Sequence, residues 1–168
     1  MNGKRVESRN KEEMHIEDVI RENGVYVSTT AGVSMHPMLR NRRDTIMIKP
    51  VTGRLEKYDV PLYRRGKDYV LHRIVAVKPE GYVICGDNCM RKEYNITDQQ
   101  IIGVLRGFYR DGKKIDMNGW KYHLYCRVWV ALYSVRYAVK LVVYGMKKVA
   151  KTCLKIDSGK KERERTIS

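Results

Sequence analysis

The chain has 168 residues, 34 Lys plus Arg against 19 Asp plus Glu, and a formal net charge of +15. That length fits one domain with a small appendage and a real buried core, and the charge attracts nucleic acid, anionic lipid or acidic partners without indicating a fold. Four cysteines, at 85, 89, 126 and 153, are too few and too scattered for a disulfide framework. Cys85 and Cys89 lack the two further ligands at short spacing that zinc needs, so no metal and no cofactor is expected.

Residues 1–13 are polar and charged and read as a disordered tail with no signal-peptide core. Residues 14–22 set Met14, Ile16, Val19 and Ile20 among acids, with Asn23-Gly24 after them. This predicts a short amphipathic helix with a glycine stop. The pattern then turns β-prone at 25–30, 45–49, 60–64, 69–77, 82–85 and 101–109, punctuated by Gly, Pro, Asp and Asn. Arg110-Asp111-Gly112-Lys113 is a hairpin turn leading to one more short strand.

Residues 120–155 differ again. Trp120, Leu124, Val128, Trp129, Leu132, Val135, Val139, Val142, Val143, Met146 and Val149 recur at spacings of three and four, interleaved with Arg and Lys. One long amphipathic helix, or two broken near Gly145, is expected. Residues 119–168 hold 12 Lys plus Arg against 3 Asp plus Glu, so +9 of the net charge lies there. A membrane span is not expected, because Arg136 and Lys140 would fall mid-bilayer at roughly 2.5–3.5 kcal/mol each. The helix either packs on the β-domain or lies on an anionic membrane surface.

The expected fold class is therefore mainly β: a coiled, partly closed antiparallel β-domain with a short N-terminal helix and a basic amphipathic helical extension. The expected boundaries are a tail at 1–13, the β-domain at 14–118, the extension at 119–155 and a charged disordered tail at 156–168. A cytoplasmic or peripheral membrane location is expected.

Three strings carry chemistry. Gly32-Val33-Ser34-Met35-His36-Pro37-Met38-Leu39 sets one serine in a turn. A serine hydroxyl is a weak nucleophile until a neighbouring base takes its proton. Tyr69-Val70-Leu71-His72-Arg73-Ile74-Val75 supplies an imidazole on a β-prone run, where alternation groups Val70, His72 and Ile74 on one face. Gly86-Asp87-Asn88 supplies a carboxylate at a turn, and Glu93 and Asp98 follow. One of these acids should hold the imidazole tautomer. Asp59 reads as a turn residue.

Together with Tyr58-Asp59-Val60 and Ile101-Ile102-Gly103-Val104, these strings resemble the signal peptidase I family and its self-cleaving repressor relatives. The resemblance covers about 25–115. The His-Arg-Ile version of the second string is similar to the endoplasmic-reticulum, archaeal and sporulation-type members, which use histidine instead of lysine. The resemblance implies Ser34 as nucleophile and His72 as general base, with Asp87 and Glu93 ranked together as the acid and Asp98 behind. Gly32 stands where many members have a hydroxyl residue, so the backbone N–H groups of Ser34 and Met35 are assigned the oxyanion hole.

The function expected is a serine endopeptidase acting on an extended signal-, leader- or precursor-type peptide. Two alternatives stay open: a catalytically weak relative that binds a membrane or partner through its basic charge, and a self-cleaving repressor-type protease. Nucleic acid is not an expected partner, because no recognition motif accompanies the charge.

Overall fold

A computed structural model of the chain describes residues 15–147. The expected tails at 1–13 and 156–168, and the end of the helical extension, lie outside the described residues. The chain divides into two units, one ending at Arg127 and one beginning at Val128. Strand outweighs helix, 35% to 29%, and the antiparallel sheet curls into a half-barrel.

The elements of the first unit begin with α1 (Ile16–Asn23), β1 (Tyr26–Thr29) and β2 (Thr45–Lys49). Next come β3 (Pro61–Arg65), β4 (Asp68–Leu71), β5 (Arg73–Lys78), β6 (Gly81–Cys85) and β7 (Glu93–Ile96). A short 3-10 turn (Asp98–Gln100), β8 (Ile101–Arg110), β9 (Lys113–Ile115) and the start of α2 (Trp120–Ala131) complete it. The second unit holds the end of α2 and α3 (Tyr133–Lys147).

α1 forms where the apolar spacing places it. It buries Ile20 and ends at Gly24, whose φ of +68° lets its N–H donate to Ile20 O. The larger sheet runs β1-β2-β8-β3-β4, with β9 added to β8, and the smaller runs β5-β6-β7. One apolar cluster gathers Ile20, Met35, Leu39, Ile46, Ile48 and Phe108 among others, and a second gathers Tyr63, Ile74, Tyr82, Ile84 and Val104. The first cluster lies directly under the Ser34 loop, since Met35 and Leu39 belong to it.

Three local expectations are corrected. The run at 69–77 is two strands rather than one. Leu71 pairs with Leu62 in the larger sheet, and Arg73 pairs with Cys85 in the smaller. His72 sits at the crossing, its N–H donating to Pro61 O at 3.4 Å. Because the chain changes sheets there, His72, Arg73 and Ile74 are all buried and the expected alternation of faces fails.

β7 is an added strand. Glu93-Tyr94-Asn95-Ile96 alternates polar and apolar residues over only four positions, too short a run to mark a strand, and it pairs with β6. The helix break falls at Leu132, not Gly145, which lies inside α3. Within the first unit, Tyr122, Tyr125 and Cys126 of α2 contact Arg73 and Asp87 of the β-domain. Among the described residues, no single helix is long and apolar enough to cross a membrane.

Gly103 in β8 marks the closest approach in the larger sheet. A Cβ there would lie 2.6 Å from Ile48 Cγ2 and 2.8 Å from Lys49 O. Gly103→Ala is therefore expected to destabilise the domain by about 1–3 kcal/mol through overpacking, read as a thermal midpoint several degrees lower.

Candidate active site

Ser34 stands on a loop that leaves β1 and returns to β2. Its neck is closed by Thr30 N–H to Asp44 O at 2.9 Å and Arg42 N–H to Thr30 O at 2.8 Å. Asp44 is fully buried and binds the Arg40 backbone N–H, the Arg40 guanidinium and Arg110. Burial works to raise its carboxyl, but these donors prevail and hold it below the ordinary carboxylate value. The tip of the loop turns through His36 N–H to Val33 O at 3.1 Å. Among the described residues, the N–H groups of Ser34 and Met35 make no backbone hydrogen bond across this turn.

The Gly86-Asp87-Asn88 turn reaches the same point from the other sheet. Asn88 N–H donates to Ser34 O at 2.7 Å, and Asn88 Nδ2 donates to Val33 O at 3.2 Å. Gly86 is needed because its neighbours leave no room. A Cβ would lie 2.7 Å from Ser34 O and 2.9 Å from His72 Cδ2. Ser34, His72 and this turn are thus one packed cluster.

His72 is 5% exposed. Its Nδ1 lies 3.2 Å from Glu93 Oε1, which also accepts from Tyr63 OH at 2.8 Å and Arg65 Nη1 at 3.2 Å. The Glu93 contact assigns the Nδ1–H tautomer and leaves Nε2 as the acceptor nitrogen. Burial lowers the His72 imidazole below its ordinary value of 6.5, outweighing the opposite pull of Glu93. A neutral imidazole is the form a general base requires. Burial, reinforced by Glu93, raises the Tyr63 phenol well above its ordinary range, so it remains a donor.

The other two acids lie elsewhere. Asp87 forms a bidentate pair with Arg73, Nε to Oδ1 and Nη2 to Oδ2, both at 2.8 Å. Tyr125 OH adds a third donor at 3.0 Å. Asp98 accepts from Tyr82 OH. Of the three acids weighed from the sequence, Glu93 is the one hydrogen-bonded to the imidazole. Asp59 binds the Glu56 N–H at 2.9 Å, as a turn residue does.

Sequence reasoning missed Tyr63, Arg65 and Cys89 at the site. Tyr63 is fully buried on β3, an interior strand of the larger sheet, and Arg65 is exposed at its end, so no local signal singled them out. Cys89 Sγ lies 3.9 Å from His72 Nε2. Its place directly after Gly-Asp-Asn was the available clue. Among the described residues, no three His, Cys, Asp or Glu side chains gather as a metal site.

A cleft of about 480 Å³ opens over Ser34, Met35 and His72. Its walls include Ser28 and Thr29 of β1 and Val70 and Leu71 of β4. These two strands are the opposite ends of the larger sheet, so curling brings two open edges to one groove.

Breaking the buried Arg73–Asp87 pair should be costly. Asp87→Ala leaves a fully buried guanidinium uncompensated and is expected to cost about 3–5 kcal/mol in chemical unfolding. No protein-family model and no curated protein matches this chain.

Proposed function

We propose that the protein is a serine endopeptidase that cuts an extended peptide by acyl transfer. The observation that carries this reading is the Glu93–His72 pair, with the imidazole lining the same cleft as Ser34 and beside the Gly86 turn that binds Ser34 O.

His72 Nε2 takes the Ser34 proton as Oγ attacks the scissile carbonyl. The oxyanion is met by the N–H groups of Ser34 and Met35. The imidazolium, stabilised by Glu93, then protonates the leaving amine, and water releases the acyl group by the reverse proton path. Asp87 acts one step removed: its pair with Arg73 positions the turn and the His72 crossing. The peptide lies between the β1 and β4 edges, adding a strand that bridges the half-barrel. A leader- or precursor-type segment suits this groove because it is extended and pairs through its backbone.

Among the described residues, Ser34 Oγ and His72 make no hydrogen bond; such bonds tighten on substrate binding. The Cys89 contact with Nε2 favours one second reading, a thiol nucleophile on the same histidine. Fluorophosphonate labelling separates the two. Labelling abolished in Ser34→Ala and His72→Ala but retained in Cys89→Ser supports the serine. Iodoacetamide-sensitive peptide cleavage lost only in Cys89→Ser supports the thiol. No labelling and no cleavage between about pH 6 and 9, a window spanning ordinary histidine titration, overturns both and leaves a binding module.

The pH dependence has a definite sign. Since burial lowers His72, the acid limb of kcat/KM is expected below 6.5, with a plateau through neutrality. Glu93 pulls the imidazole upward, so Glu93→Gln is expected to move that limb to still lower pH. The plateau should fall roughly 10²- to 10⁴-fold, as loss of an orienting acid does.

A further inference from the structure

The second unit carries a surface that the peptidase reading does not use. Val135, Val139, Val142, Tyr144 and Met146 of α3 are 57–69% exposed. Tyr137, Leu141 and Val143 are exposed as well. Exposed valines and leucines at this density are an unmet demand for apolar cover.

The charges show what kind of cover fits. At 100° per residue, Arg136, Lys140 and Lys147, spaced by four and seven, share one narrow stripe of the helix. The rest of the circumference is Val, Leu, Tyr, Met and small residues. No Asp or Glu occurs between Asp116 and Asp157, while eight Lys and Arg do. A nucleic acid would meet the cations but leave the valines and leucines in water. A protein groove would cover one flank of the stripe and not the other. An anionic bilayer surface covers both flanks and meets the stripe with headgroup charge, the lysine and arginine stems reaching outward.

α3 alone has 15 residues, about 22 Å of helix and shorter than the roughly 30 Å hydrocarbon core; α2 and α3 reach spanning length only as a pair bent by 59°. That length suits a helix lying in the interface. We infer that residues 128–147 dock the protein peripherally on an anionic lipid membrane, with the apolar circumference of α3 in the acyl boundary and its basic stripe at the headgroups. This stands independently of which nucleophile the cleft uses.

The chain's two tryptophans, Trp120 and Trp129, both lie on α2, so selectively excited tryptophan fluorescence reports on α2 alone. The full chain is mixed with vesicles of phosphatidylcholine, or of phosphatidylcholine with phosphatidylglycerol, and followed by fluorescence and co-sedimentation. A blue shift and sedimentation with the anionic vesicles only, weakened by raising salt, is the expected result. Val139→Asp/Val142→Asp should lower partitioning by about tenfold or more while the thermal midpoint of the first unit is unchanged. Lack of partitioning, equal partitioning to neutral vesicles, or undiminished binding by the double variant would overturn the inference. So would a lipid-free, concentration-dependent dimer showing the same blue shift, which would make the surface a self-association face.

Discussion

The fully buried ion pair between Arg73 and Asp87 is the constraint on which the rest of this site depends. A guanidinium with no exposure to water is costly to desolvate, and only a bidentate carboxylate with its remaining donors satisfied can offset that. The pair meets the requirement: Arg73 also donates to Tyr58 O at 3.1 Å, and Tyr125 caps Asp87. Burial and the Asp87 carboxylate oppose each other at Arg73, and the carboxylate prevails, so the charge is retained.

Three pieces of chain are thereby tied together. Arg73 follows His72, and Asp87 sits between Gly86 and Asn88, the residues packed against Ser34. The guanidinium also reaches Met38 in the Ser34 loop and Cys126 on α2. The serine loop, the histidine crossing and the Gly-Asp-Asn turn are therefore registered against one charge. Burial raises the Tyr122 phenol to about 12 and the Cys126 thiol above its usual value, so both stay neutral around that charge.

The two carboxylates illustrate how partners divide work between similar groups. Asp87 is spent on a fixed cation and has a structural task. Glu93 is half a step nearer solvent and shares its oxygen with an imidazole, a phenol and an exposed guanidinium. Only the second arrangement can respond when the imidazole gains a proton. The sheet supplies the complementary half of the site. Its curl leaves β1 and β4 unjoined, and Ser34 and His72 line the cleft between them.

Much of this was legible in the chain itself. The glycine stop at Gly24, strand β2, the hairpin at Asp111-Gly112 and the three chemical strings follow from local pattern, because turn chemistry and period are set by neighbouring residues. The amino-acid order also determined that Ser34, His72 and an acid after Gly-Asp-Asn were the groups to consider. It did not determine which acid. β7 carries Glu93 on a four-residue alternation too short to mark a strand, and its register against Ile84 exists only once β6 is in place. Nor could alternation reveal that His72 lies at a change of sheets, since that depends on pairing partners distant in sequence. The tertiary structure alone decided that Asp87 serves Arg73, that Glu93 meets His72 and that Cys89 faces Nε2. Those choices are made by long-range packing around a buried charge, which no local run of residues encodes.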